Sequence, residues 1–382
     1  MAAKGNFELL CLENPLLDIQ GVGWSIRAKA DDGKGGQLAY KGHYELKLTC
    51  GRDEKLLEKY GLKANDAILA EEKHLGLYDD LIQNYDAKLI AGGAAQNTAR
   101  GAQYILPADS TVYIGCIGRD KYGKQLEDIC AHAGVKTAYR YDEETPTGRC
   151  GVVITGHNRS LCTDLAAANK YKIEHLKQPE IWQLVENAKF LYVGGYHLTV
   201  CVPAILALAE EAASKDKPFI LNLSAPFIAQ FFKDQLDEVL PYVDILIGNE
   251  TEAAAYAESH KLATKDVKEI AKSIVSLPKK NSKRVRTVVF TQGTDPTIAV
   301  VGDEVKEFPV HAIGAEKIND TNGAGYLHAN EQSDAFAGGF VAGVVQGKPL
   351  ETSVDMGQWL AKLSIQELGP SYPFPKQTYT HS

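Results

Sequence analysis

The run Val243-Asp244-Ile245-Leu246-Ile247-Gly248-Asn249-Glu250-Thr251-Glu252 holds the repeating unit of the fold. Its first half is short, apolar and rich in β-branched residues, which is typical of a buried strand. Its second half has the form of a capping box, with Asn249 at the N-cap and Glu252 at N3, so a helix is expected to follow at once. A strand that passes directly into a helix indicates an α/β architecture.

Similar apolar runs alternate with helical patterns from about residue 87 onward. The other expected buried strands are Lys88–Ala91, Val112–Ile114, Lys189–Val193, Pro218–Asn222 and Thr287–Phe290. Val202–Lys215 is expected to be a helix, because Ile205, Leu208, Ala209 and Ala212 fall on one face at helical spacing. This alternation predicts a mostly parallel sheet covered by helices on both faces, with the ligand at the carboxyl ends of the strands.

The composition narrows the function classes. The chain has 382 residues, 45% of them hydrophobic, and a formal net charge of -8 without a basic stripe, so nucleic acid is not an expected partner. No apolar run approaches the length of a membrane span, and no membrane partner is expected. The 7 cysteines include no CxxC pair. They favour a reducing compartment, with the cytoplasm as the expected location and the nucleus also compatible.

A glycine turn follows the run Lys88–Ala91. In Gly92-Gly93-Ala94-Ala95-Gln96-Asn97, the glycines would let the backbone approach a ligand while the Asn97 amide binds sugar hydroxyls. A plain strand-to-helix turn is the alternative for these residues. The capping pair Asn249 and Glu252 is likewise open to a second role, in which Glu252 organises magnesium and phosphates through water.

The turn Asp320-Thr321-Asn322-Gly323-Ala324-Gly325 and the apolar helix expected to begin at Asp334 suggest phosphoryl transfer to an alcohol. Free N–H groups of Gly323, Ala324 and Gly325 would receive the charge of the transferring group. A carboxylate, Asp334, would accept the proton of the hydroxyl. A glycine-rich loop with a capping aspartate is the alternative without function.

Two segments interrupt these patterns. Tyr326–Ser333 separates Gly325 from Asp334, and Trp24–Arg52 is a long stretch without clear periodicity. Because N–H donors and carboxylate must be held within about an ångström of productive geometry, residues 326–333 are expected to reduce activity severely unless they loop out. We interpret both segments as translated introns or a gene-model error, with genuine inserts as the alternative.

Taken together, the motifs resemble those of the ribokinase or phosphofructokinase-B family, and within it the adenosine kinases of fungal type. The resemblance rests on Glu13–Ile19, Gly92–Thr98, Leu165–Asn169, Leu221–Phe227 and Gly248–Ala253. It implies a ribokinase-like three-layer α/β sandwich with a mostly parallel central sheet and a smaller β-rich lid. The implied large domain comprises 1–18, 92–145 and 167–382, and the implied lid comprises 19–91 and 146–166.

The resemblance also implies roles for single residues, with ATP and Mg²⁺ as donor and cofactor. Asp18, Gly93 and Asn97 would hold the ribose hydroxyls, with Asn14 beside them, and Gly92 would also belong to the substrate site. The base would be surrounded by Leu16, Leu69, Cys150, Leu161, Thr163, His197 and Phe227. The phosphates and ATP would meet Arg159, Asn249, Glu252, Thr291, Gly293 and Asn322.

The implied reaction is ATP-dependent phosphorylation of the 5'-hydroxyl of adenosine to AMP by a monomer. Two alternatives stay open. One is another nucleoside or sugar kinase of the same family, because Ala67 and His197 stand where familiar adenosine kinases often have Gln and Phe. The other is a nucleoside-binding homologue whose catalysis is impaired by residues 326–333.

Overall fold

The computed structural model describes residues 7–22, 54–64, 67–85, 87–155, 158–314, 329–367 and 369–381. The first half of the chain contributes strands β1 Leu9–Leu12, β2 Leu16–Val22, β3 Ala67–Leu69, β4 Lys88–Gly92, β5 Thr111–Gly118, β6 Lys136–Asp142, β7 Arg149–Thr155 and β8 Asn158–Asp164. The second half contributes β9 Phe190–Gly194, β10 Phe219–Asn222, β11 Ile245–Asn249, β12 Thr287–Gln292, β13 Asp295–Val301 and β14 Glu304–Phe308.

Helices separate most of these strands. Those before β9 are α1 Glu54–Tyr60, α2 Gly76–Asn84, α3 Ala94–Ile105, α4 Lys121–Ala133, α5 Ile173–Leu176 and α6 Pro179–Asn187. After β9 come α7 Val202–Ser214, α8 Pro226–Phe231, α9 Lys233–Val239, α10 Glu250–Ser259, α11 Val267–Val275, α12 Ala329–Val345 and α13 Leu350–Ser364. The expected buried face of α7 is confirmed, since Ile205, Leu208, Ala209 and Ala212 are all buried.

The large sheet has 9 strands in the order β14-β13-β12-β11-β10-β9-β1-β5-β6. Every neighbouring pair from β12 to β6 is parallel, and only the β12-β13 and β13-β14 pairs are antiparallel. The carboxyl ends of seven strands therefore meet at one edge of this sheet, where the loops after β1, β9, β10 and β11 gather.

Both faces of the large sheet are buried. Alternate residues such as Leu10, Leu191 and Phe219 pack in one core with α7, α8, α10 and α11. Their chain neighbours Leu9, Tyr192 and Ile220 pack in the other core with α3, α4, α12 and α13. Since successive side chains of a strand point to opposite faces, runs that are apolar throughout require this three-layer arrangement.

A second sheet of 5 strands has the order β3-β8-β7-β2-β4 and mixes parallel with antiparallel pairs. It corresponds to the smaller β-rich layer that the family resemblance implies. The expected strand at Lys88–Ala91 is present as β4, but the expectation that it is buried throughout was wrong. β4 pairs antiparallel with β2 in the smaller sheet, and Lys88 is exposed while Leu89 and Ile90 are half-buried.

The expectation that an apolar helix begins at Asp334 was also wrong. α12 begins at Ala329 and runs without a break through Asp334. Ala, Glu and Gln at 329, 331 and 332 are strong helix formers, and neither Gly nor Pro stops the helix from extending backwards. Asp334 therefore lies inside a helix rather than at its N-terminus. None of the described helices is both long and apolar enough to cross a membrane.

Candidate active site

One face of the smaller sheet carries the residues implied around the sugar and the base. Strand register places Asp18 opposite Cys150, Cys150 opposite Thr163, and Thr163 opposite Leu69, so all four point to the same face. Leu16 and Leu161 share this face by alternation. The other face is covered by α1 and α2 through a core that includes Ile19, Leu77 and Cys162. The candidate residues thus lie on the face that these helices leave uncovered.

The Asp18 carboxylate lies directly above Gly92. A Cβ at position 92 would come within 2.1 Å of Asp18 Oδ1, so only glycine leaves the carboxylate its present place. The next residue, Gly93, has a φ of 89°, and a Cβ there would lie 2.5 Å from the Asn14 carbonyl oxygen. Both glycines of the turn are therefore required by close approach, and they bring Asn14, Asp18 and the start of α3 together.

A hydrogen bond joins Asn97, the expected ligand of the sugar, to Asp334, the expected proton acceptor. Asn97 Nδ2 donates to Asp334 Oδ2 at 3.1 Å, and both side chains are buried. The Thr98 hydroxyl donates to the Asp334 carbonyl at 3.4 Å and lies 3.3 Å from the Tyr192 hydroxyl. Residues of α3 thus bind both the side chain and the backbone carbonyl of Asp334. They do so although Asp334 lies inside α12 and not at its start.

Arg100 supports this pair from behind. Its Nη1 donates to the Ala91 carbonyl at 2.8 Å and lies 3.4 Å from Asn97 Oδ1, and its Nη2 donates to the Pro370 carbonyl at 2.9 Å. With Oδ1 facing a guanidinium, the Asn97 amide turns its NH₂ group toward Asp334. Sequence reasoning missed Arg100. Its position one helical turn after Asn97 was the available signal.

Glu13 is a second residue that sequence reasoning assigned no role. Its Oε2 accepts the Ala95 peptide N–H at 2.7 Å, and a Cβ at Gly194 would fall within 1.8 Å of its Oε1. Burial raises the pKa of Glu13 to about 7, although the Ala95 and Tyr196 N–H groups and the Ser224 hydroxyl favour the charged form. Glu13 fastens the end of β1 to the start of α3. A charged residue at the end of an all-apolar strand was its signal.

Asn249 and Glu252 form the capping box that the sequence predicts, which is confirmed. Asn249 Oδ1 accepts the Glu252 N–H at 2.9 Å, and Glu252 Oε2 accepts the Asn249 N–H at 3.0 Å. Burial raises the pKa of Glu252 to about 7, the Asn249 N–H opposes this, and Glu250 adds to it. The buried carboxylate would ionise more readily beside a cation.

The remaining candidates lie around this centre or outside the described residues. His197 is fully buried with its Nδ1 3.2 Å from Asn14 Oδ1. Half-buried Phe227 stacks at an angle on Tyr196, with ring centroids 5.9 Å apart. The Thr291 hydroxyl donates to the Gly248 carbonyl at 3.4 Å, and Gly293 has a φ of 56° in the turn after β12. Asn322, Gly323, Ala324, Gly325 and the Arg159 side chain lie outside the described residues, as does Trp24–Arg52.

Comparison with known proteins gives consistent matches. Residues 54–377 match the pfkB family carbohydrate kinase model. Adenosine kinase of Saccharomyces cerevisiae is 49% identical over 330 residues, which cover 85% of this chain and 93% of the yeast protein. Adenosine kinase of Schizosaccharomyces pombe is 47% identical over 336 residues, 87% of this chain and 95% of its own.

A solved structure agrees with the fold. Anopheles gambiae adenosine kinase in complex with P1,P4-di(adenosine-5) tetraphosphate superposes with a TM-score of 0.82 at 40% identity, over 95% of this chain and 96% of that chain. The expected three-layer α/β sandwich with a smaller lid sheet is confirmed by this likeness together with the sheet topology.

Proposed function

Because the chain belongs to the pfkB family of carbohydrate kinases and, within it, to the adenosine kinases, we propose that it transfers a phosphoryl group from ATP to the 5'-hydroxyl of adenosine, giving AMP and ADP. The observation that carries this proposal is the Asn97–Asp334 hydrogen bond. It places a carboxylate beside an amide that can hold the sugar, at the edge where the carboxyl ends of the parallel strands meet.

The chemistry requires a proton acceptor and a place for the sugar. Asp334 accepts the proton of the 5'-hydroxyl while the hydroxyl oxygen bonds to the γ-phosphorus of ATP. The bond from that phosphorus to the ADP oxygen breaks. Asp18 and Asn97 accept and donate hydrogen bonds at the remaining ribose hydroxyls. Gly323–Gly325 would offer N–H donors to the transferring group.

Magnesium enters this proposal through Glu252. The described residues contain no cluster of three or more metal-ligating side chains, so the arrangement fits an ion held mainly by the nucleotide phosphates and water. Glu252 would contact that ion through water, with Asn249 beside it. When bound, the ion would neutralise phosphate charge, whereas Asp334 would accept the proton.

We further propose that the chain acts as a monomer in the cytoplasm, with the nucleus as a second location. The large exposed apolar side chains among the described residues, such as Leu69, Phe231 and Phe374, are scattered along the chain. The cysteines that the structure describes are buried and form no disulfides with one another, which fits a reducing compartment.

The test is AMP formation from ATP and adenosine by the full chain and by Asp334→Asn. We expect the substitution to lower kcat by about 10²- to 10⁴-fold while adenosine still binds in calorimetry. Inosine and ribose, run as alternative acceptors, separate adenosine kinase from the other activities of the family. Tight adenosine binding without turnover by the natural chain would instead indicate the impaired homologue.

A further inference from the structure

His197 and Asn14 form a buried polar pair beside the glycine turn of the candidate sugar site. Asn14 and His197 expose 2% and 0% of their surface, and His197 Nδ1 lies 3.2 Å from Asn14 Oδ1. The ring packs at 68° against Tyr171, with centroids 5.1 Å apart, which fixes its plane. The imidazole therefore has one polar contact among the described residues, and that contact is Asn14.

The proton position on His197 follows from its unpaired nitrogen. Nε2 is buried and has no hydrogen-bond partner among the described residues. A buried N–H without an acceptor is energetically unfavourable, so the proton belongs on Nδ1, where it has an acceptor. Burial also lowers the pKa of His197 to about 3, so the ring is neutral at physiological pH. Nδ1–H consequently donates to Asn14 Oδ1.

This donation fixes the Asn14 amide. With Oδ1 occupied by His197, the NH₂ group must point to the other side, and Asn14 Nδ2 is itself buried without a partner in the described structure. Asn14 lies beside Gly93 of the glycine turn, because a Cβ at Gly93 would come within 2.5 Å of the Asn14 carbonyl oxygen. An unpaired NH₂ donor at this place awaits an acceptor oxygen.

We infer that His197, as the neutral Nδ1–H tautomer, is a positioning residue that turns the Asn14 NH₂ group toward a ribose hydroxyl and thereby makes the site selective for ribonucleosides over deoxyribonucleosides. The inference rests on the proposed function and deepens it. It assigns His197 to the sugar side of the site through Asn14, rather than to direct contact with the base.

Calorimetry tests the inference, because dissociation constants do not depend on turnover. Adenosine, 2'-deoxyadenosine and 3'-deoxyadenosine are titrated into the full chain and into His197→Phe, which keeps the ring volume but has no donor. We expect His197→Phe to weaken adenosine binding about 10- to 100-fold and to leave the binding of the deoxy analogue that lacks the Asn14-bound hydroxyl nearly unchanged. Adenosine would then lose its advantage over that analogue.

Two further variants distinguish a hydrogen bond to Asn14 from a role of His197 in packing alone. His197→Gln offers an amide donor to Asn14 and should restore much of the selectivity, which a role in packing alone would not. His175→Phe is the matched control, because His175 lies against the same Tyr171, with Nδ1 3.3 Å from its hydroxyl, and forms no hydrogen bond with Asn14 in the described part of the chain. It should leave selectivity unchanged.

The outcomes separate the inference from the function. Equal losses for adenosine and both deoxy analogues in His197→Phe, or selectivity lost as fully in His175→Phe, would overturn the role of His197 and leave the kinase proposal standing. Failure of the unsubstituted chain to bind adenosine at all would overturn both.

Discussion

Gly92 is the residue whose side chain would collide with the sugar site itself. The atoms that an alanine Cβ would meet belong to the Asp18 carboxylate, at 2.1 to 2.3 Å. A carboxylate can rotate away, so Gly92→Ala should fold normally while Asp18 leaves its place. We expect the KM for adenosine to rise about tenfold or more, with a melting temperature close to that of the natural chain.

Gly76→Ala is the matched control for this prediction. It is the first residue of α2, and the nearest contact of an added Cβ would be the Tyr60 hydroxyl at 3.4 Å, an ordinary distance. Steady-state kinetics should show no change for this variant. If Gly92→Ala also kept its KM, the closeness of Asp18 to Gly92 would have no bearing on substrate binding.

Single residues differ in how much the sequence reveals about them. The capping box of Asn249 and Glu252 is local, so its three-residue spacing was sufficient to predict it. Asn97 and Asp334 lie 237 residues apart, and only the family resemblance indicated that they belong to one site. Glu13, Arg100 and the Asn14–His197 pair depend on contacts between distant elements. No periodicity in the sequence encodes those contacts.

At the scale of elements, the backward extension of α12 matters most. The resemblance places the N–H donors of Gly323–Gly325 directly before Asp334, whereas here the helix from Ala329 comes between them. Deleting residues 326–333 should rejoin donors and base, and we expect kcat to rise at least about tenfold in the AMP assay.

A length-matched variant controls for the deletion. Replacing residues 326–333 by eight Gly and Ser residues keeps the separation but removes the helix formers, so it should not reproduce the full gain. An unchanged or lower kcat after deletion, in a chain that folds and binds adenosine, would show that the segment is compatible with catalysis.

The segment 369–381 is a second element with a testable role. Pro370 accepts from Arg100, the Pro373 carbonyl accepts the Tyr104 hydroxyl at 3.0 Å, and Tyr379 donates to Asp355. Truncation after Glu367 leaves the buried Arg100 without one acceptor and should lower the free energy of unfolding by about 2–4 kcal/mol. Urea denaturation measures this.

Phe374→Ala serves as the control for truncation. Its side chain is 89% exposed, so the substitution should leave the unfolding midpoint unchanged. A truncated chain as stable as the natural one would mean that the segment contributes nothing to stability.

At the scale of the whole molecule, two buried glutamates tie stability to pH. Burial raises the pKa of Glu13 and Glu252 from 4.5 to about 7. The folded chain therefore holds more protons than the unfolded chain between these values. Their contribution is fully present below pH 4.5 and is lost as the pH rises through 7.

The effect of the two glutamates on stability is best measured above pH 6.5. Below that pH, His175 and His197 make the unfolding free energy rise with pH, which opposes the effect of the glutamates. Burial lowers their pKa to about 4 and about 3, so their effect is complete once unfolded histidine is neutral. Between pH 6.5 and 8, without magnesium, Glu13→Gln and Glu252→Gln should each flatten the decline in unfolding free energy by at most about 1.4 kcal/mol per pH unit. Parallel pH profiles for variants and natural chain would contradict the assignment.

The hydrogen bond from Arg100 to the Pro370 carbonyl spans 270 residues of sequence. Ribosomes add roughly 5–20 residues each second, so α3 waits on the order of tens of seconds for this partner. During that interval the guanidinium beneath Asn97 has an incomplete set of acceptors. The sugar-binding side of the molecule thus reaches its final form only after Pro370 has left the ribosome. Nascent chains stalled before Pro370 should therefore bind nucleoside poorly, even though most strands of both sheets have already been synthesised.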